Sequence, residues 1–90
     1  MKKYKCPCCG YFTFEHKPVG NYDICPVCYW EDDPIAYNEP SKAFSCNGVS
    51  LIQAKDNFLA FGACHIDMVK YVRKPNTDEL TGMKENSNPG

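Results

Sequence analysis

Ninety residues with a formal net charge of −1 make one small domain, and four thiolates closing on a divalent ion would take it two units further negative, which is not the balance of a general nucleic-acid binder. A chain this short buries only about 60–65% of the surface its unfolded form exposes, so a staple beyond apolar burial is expected, and seven cysteines offer one. The opening "MKKYKCPCC" has positive charge but no apolar run behind it. No stretch reaches the roughly 18 to 20 apolar residues of a membrane span. The expectation is a chain with no export signal in the reducing cytoplasm, where paired cysteines hold metal more often than they form disulfides. An odd number of cysteines points the same way.

Four stretches follow one another: a cysteine- and aromatic-rich unit over 1–30, an acidic connector over 31–48, a helical part over 49–74, and a polar tail over 75–90. Residues 1–74 are expected to form one domain and the tail to be disordered. In the first stretch, "KCPCCGY" and "CPVCYW" each hold a C-x-x-C pair, Cys6 with Cys9 and Cys25 with Cys28. Fifteen residues lie between the pairs, near the spacing of four-cysteine zinc sites. A gap of three lets the chain turn around an ion so that both sulfurs point inward and backbone N–H groups donate to them. Pro7 and Pro26 fix φ for that turn, and Gly10 permits the positive φ that follows it. Four thiolates leave no position for water, so the expected site holds one structural zinc ion, with iron as the alternative.

Cys8 is then the surplus sulfur of the first knuckle. Val27 holds the matching place in the second, so the position needs no sulfur. Cys8 is either a small tolerated thiol or a reactive one, and a thiol beside a metal is a candidate for redox chemistry.

Between the pairs, Phe12 and Phe14 alternate with Tyr11, Thr13 and Glu15 as in a half-buried strand. Pro18 and Gly20 supply a turn, and "NYDI" is expected to return as the partner strand, placing a β-hairpin between the knuckles. Trp30 is expected to shield the metal and pack on the helix. "EDD" at 31–33 reads as a solvated acidic turn, and Tyr29, Trp30, Glu31, Asp32 and Asp33, with Tyr37 nearby, form the candidate interaction surface.

Leu51, Ala54, Phe58 and Phe61 recur at spacings of three and four and make one apolar stripe. Ser50 with Gln53 has the capping-box pattern and Gly62 suits the left-handed end, which predicts a helix over 51–61. It is too short to stand alone and must dock on the aromatic face of the hairpin. A second helix is predicted over 66–73, with Ile66, Val69 and Val72 or Tyr71 inward. Cys46 and Cys64 read as small buried thiols; a second site of Cys46, Cys64 and His65 lacks knuckle spacing.

The fold expected is small α+β, a zinc-ribbon-like hairpin with two cysteine knuckles packed against one or two short C-terminal helices. There is no Ser, His and acid arrangement, phosphate-binding loop or histidine-rich open metal site, so no enzyme is expected. The leading functional expectation is a zinc-stapled module that binds another protein. The alternatives are a ribbon that binds single-stranded nucleic acid through Lys2, Lys3, Lys5 and Lys17 near Tyr11, Phe12 and Phe14, and a redox- or metal-responsive thiol protein.

"YKCPCCGY", "GNYDICPVCYWEDDP" and "NGVSLIQAKDNFLAFGAC", in that order, resemble the cysteine-rich CPCC family of small bacterial proteins from about Tyr4 to Pro75. The resemblance implies a zinc-ribbon-like pattern with Cys6, Cys9, Cys25 and Cys28 at the metal, and no established activity.

Overall fold

The computed structural model describes residues 3–43 and 46–81. Strand β1 (Tyr4–Lys5) pairs antiparallel with β2 (Phe12–Phe14), with Tyr4 opposite Phe14, Lys5 opposite Phe12 and a register shift between the two pairs. The first knuckle is the tip of this hairpin. The second repeats the design nineteen residues later: Ile24 bridges Glu31 in antiparallel fashion and the turn of Cys25 and Cys28 lies between them.

The pairing differs from the one the sequence suggests. β2 does not pair with "NYDI"; it returns on the strand that precedes its own knuckle, while Tyr22 and Asp23 exchange backbone bonds with Asp32 after the second knuckle. Each knuckle reverses the chain within eight residues, so its two flanks meet at small loop-closure cost, and the longer hairpin is not needed.

The 31–48 stretch is more than a connector, because Pro34–Asn38 form a short helix, α1. Asp33 Oδ1 accepts from Ile35 N at 2.9 Å and Pro34 stands in the first turn, where its missing N–H costs nothing. The dipeptide Asp-Pro is the signal that announces this start. Helix α2 (Leu51–Phe61) has the predicted ends, with Gln53 N donating to Ser50 Oγ at 3.0 Å and Gly62 at φ 84°. Only half of the capping box forms, since Gln53 Nε2 turns to Asn57 Oδ1. Leu51 and Ala54 are buried and Phe58 packs against the core, but Phe61, expected inside, lies at the exposed end of the stripe.

The predicted helix over 66–73 is instead a 3-10 helix, Ile66–Tyr71, with no buried residue. Ile66, Val69 and Tyr71 face outward; Tyr71 finds its partner in Tyr29, stacked at 5.3 Å between ring centroids. Beyond Pro75, where a disordered tail was expected to begin, a further helical turn, α3 (Thr77–Thr81), lies against β2. Buried Glu79 organises it, accepting from both nitrogens of the Arg73 guanidinium at 2.9 Å and from Asn76 N at 2.8 Å. The rest of the expected tail, 82–90, lies outside the described residues.

Trp30, Phe14, Val27, Ala36, Leu51, Ala54 and Cys64 make the core with the knuckle cysteines. Among the described residues no helix is long and apolar enough to cross a membrane.

Candidate metal centre

The two knuckles are built alike, bond for bond. In the first, Cys6 N donates to Tyr11 O and Gly10 N to Cys6 O; in the second, Cys25 N donates to Trp30 O and Tyr29 N to Cys25 O. Cys8 N points to Cys6 Sγ and Val27 N to Cys25 Sγ, each at 3.4 Å. The position after each knuckle is left-handed, Gly10 at φ 83° and Tyr29 at φ 70°. The second knuckle thus accepts the steric cost of a side chain there, and Tyr29 recovers part of it by stacking on Tyr71.

Facing one another, the knuckles bring the sulfurs of Cys6, Cys9, Cys25 and Cys28 within 4.8 Å of each other. Two cross-pairs are closer, Cys6 to Cys28 at 3.6 Å and Cys9 to Cys25 at 3.7 Å. A tetrahedron with metal–sulfur bonds of about 2.3 Å has edges of about 3.8 Å, so the four sulfurs fit one ion. Thr13 Oγ1 adds a donor to Cys25 Sγ at 3.1 Å. Cys6, Cys25 and Cys28 are fully buried, and Cys9 is the one ligand partly open to solvent.

Electrostatics agree with a cation here. Donation from Cys28, Cys6 and Cys9, with Thr13 adding to it, holds the Cys25 thiol far below its ordinary range. Burial pushes Cys6 up, and Cys28 is pushed up because it supplies protons to Cys25 and Cys6. Four thiols in so small a space can carry little negative charge unaided. A divalent ion bound here would supply the charge that lets all four ionise.

The other predicted residues divide. Cys8 is buried in the core at the position that Val27 holds opposite. Cys64 is buried as expected, its N–H donating to Cys28 O at 2.8 Å, and burial pushes its thiol up to about 12. Cys46 is exposed, contrary to expectation, because its backbone is tied to Asp33 Oδ2 at 2.7 Å on the surface side of α1. Partial burial and then Glu31 push its thiol up to about 12. Among the described residues only the four knuckle cysteines gather at metal-binding distance, so Cys46, Cys64 and His65 form no second cluster; His65 Nδ1 accepts from Asp67 N.

Of the candidate interaction surface, Trp30, Asp32 and Asp33 are buried, Tyr29 and Glu31 are half-buried, and the neighbouring Tyr37 is exposed. Trp30 is 1% exposed and sits in the core, in keeping with the expectation that it packs inward rather than with its place in the candidate surface. Asp32, 2% exposed, accepts from Gly20 N and Asn21 N at 2.9 and 3.0 Å, and Asp33 caps α1. Glu31 exchanges bonds with the Asn47 side chain through its N–H and carbonyl. The acidic run therefore fastens the backbone amides of Gly20, Asn21, Ile35 and Cys46 to the core side of the chain. Sequence alone could not separate this from a solvated turn, because the amides it satisfies lie as far as thirteen residues away. The nucleic-acid reading also meets packing: Phe14 is buried, Tyr11 meets Phe58 edge-on at 6.2 Å, and Lys3 pairs with Glu15, while Lys2 lies outside the described residues.

No curated protein matches the sequence. The sequence profile of the family described as Cysteine-rich CPCC matches residues 4–79, which is most of the chain and includes both knuckles, α1, α2 and the Arg73–Glu79 pair. On that match the protein belongs to the cysteine-rich CPCC family.

Proposed function

We propose that this protein is a small module stapled by one structural zinc ion, that it has no catalytic activity of its own, and that it acts by binding another protein. The observation that carries the reading is the closed set of four cysteine sulfurs, three of them fully buried, which leaves no ligand position for a substrate or a reactive water. Zinc is preferred to iron because the role is to hold two knuckles together, and a redox-inert ion does so in either oxidation regime. A domain this small has little interior to spare for a reaction site, while its outer face carries exposed Leu59, Tyr37, Ile52 and Ile66.

Two measurements test it. Elemental analysis of protein purified without added metal is expected to give one zinc per chain; a coloured, iron-loaded protein would overturn the choice of ion. Cross-linking with mass spectrometry, comparing wild type with Cys25→Ser, is expected to give a partner protein captured only by the metal-loaded form. Equal capture by both would sink the link between staple and function.

A further inference from the structure

The first knuckle and α2 enclose an open groove of about 620 Å³. Pro7 and Tyr11 form one wall, and Phe58 and Leu59 form the other. Leu59 is 84% exposed, the highest value among the large apolar side chains described. Apart from the cluster cysteines Cys6 and Cys9, the only charged side chains that line the groove are Lys5, from β1, and Lys55, from α2. Among the described residues neither forms a salt bridge, although Lys5 Nζ stands 5.7 Å over the Phe12 ring. A second depression of about 560 Å³ shares Tyr11 and Phe58, and its only charged residues are Arg73 and Lys74. Arg73 is occupied by Glu79, which leaves Lys74 as the unpaired cation of that adjoining depression among the described residues. Outside the cysteine cluster, whose four thiolates and divalent ion would sum to −2, the charged side chains that edge this apolar trough are all cations, in a chain of net charge −1.

We propose that this groove takes an acidic segment of a partner protein, with aliphatic or aromatic side chains seated on Tyr11, Phe58 and Leu59 and carboxylates meeting Lys5 and Lys55. The proposal rests on the protein-binding reading above and gives it a surface. Lys5 and Lys55, which stand at the rim without a salt bridge among the described residues, select an acidic partner, and the apolar walls require that it bring more than charge. A single-stranded nucleic acid shares the sign but fits the walls less well. Leu59 and Pro7 offer no face for base stacking, and Tyr11 is committed edge-on to Phe58. The groove is also lined by Cys9, the one partly open metal ligand, so an occupant covers the exposed side of the metal centre.

The test is to pan displayed random peptides of about twelve residues on the metal-loaded protein and to measure the selected peptides by fluorescence anisotropy. Enrichment of Asp or Glu interspersed with Leu, Phe or Trp is expected. Affinity is expected to fall about tenfold or more in each of Leu59→Asp and Lys55→Glu, and with rising salt. Both positions are exposed, and both variants are expected to keep one metal per chain. Bound peptide is expected to slow chelator-driven metal release through cover of Cys9. Peptides that bind both variants as well as wild type would overturn the groove while leaving the protein-binding reading standing; no enrichment at all would overturn both. Tighter binding of an oligothymidylate than of any peptide, or loss of metal in Lys55→Glu, would show that the lysines serve nucleic acid or the thiolate charge instead.

Discussion

Glycine is used in this chain for two separable reasons. At Gly10 the backbone is left-handed and nothing lies within 4 Å of an added Cβ, so Gly10→Ala pays for conformation alone, about 1 kcal/mol. At Gly20 the backbone is left-handed too, but a Cβ would stand 2.6 Å from Pro34 Cα, so strain and overlap add. Denaturant unfolding of the metal-loaded variants should therefore rank Gly20→Ala well below Gly10→Ala, and equal losses would contradict this account. Asp32 gives the matching case for a side chain. Its carboxylate holds two amide N–H groups, and Asp32→Ala leaves both without that acceptor at a cost of about 3 kcal/mol, read from the shift in denaturation midpoint. An unchanged midpoint would mean that water replaces the carboxylate.

Helix α2 depends on its ends more than on its stripe, since only Leu51 and Ala54 are fully buried. Ser50→Ala removes the acceptor for Gln53 N and is expected to cost about 1 kcal/mol in thermal or denaturant unfolding, whereas Gln53→Ala, which touches only Asn57, should be nearly neutral. Helix α3 depends instead on a charge pair. Arg73 holds the Glu79 carboxyl below its ordinary value of 4.5, so the folded pKa lies under the unfolded one. The stabilisation is complete above about pH 4.5 and disappears as pH falls through the lower folded value. Arg73 is partly exposed, which screens the pair and keeps the effect modest. The gap in denaturation midpoint between wild type and Glu79→Gln should close as pH drops below the carboxylate range. The comparison is read over the pH range in which both chains keep their metal, and a gap that does not narrow with falling pH there would remove the pair from the account.

For the molecule as a whole, the four clustered sulfurs come two from each knuckle, so a metal held there would join the two hairpins. Its removal is expected to unfold the chain rather than loosen one end. Trp30 is the single tryptophan and lies in the core beside the second knuckle, so chelation should red-shift its fluorescence in step with loss of helical circular dichroism. A metal-free chain that keeps its helical signal would refute this. The same dependence explains how a domain of this size is held together: the knuckle sulfurs and Trp30, Phe14 and Val27 occupy one core, and what closes the metal site also buries the apolar side chains.

The knuckle spacing and prolines, and the caps and stripe of α2, were legible in the sequence because each rests on contacts within a few residues. Those signals settled the four candidate ligands, the bounds of α2 and the left-handed turn at Gly10. The Asp-Pro start of α1 and the Glu79 bond back to Asn76 were equally local and were missed, one inside an acidic run and the other inside a polar tail. Tertiary structure decided the rest. It chose which strand β2 pairs with, turned Ile66 and Val69 outward, and drew Trp30, Asp32 and Asp33 of "WEDD" inward, because each outcome depends on partners brought close only by the fold. Sequence fixes the chemistry that a residue can offer; the metal-joined knuckles decide which groups are near enough to use it.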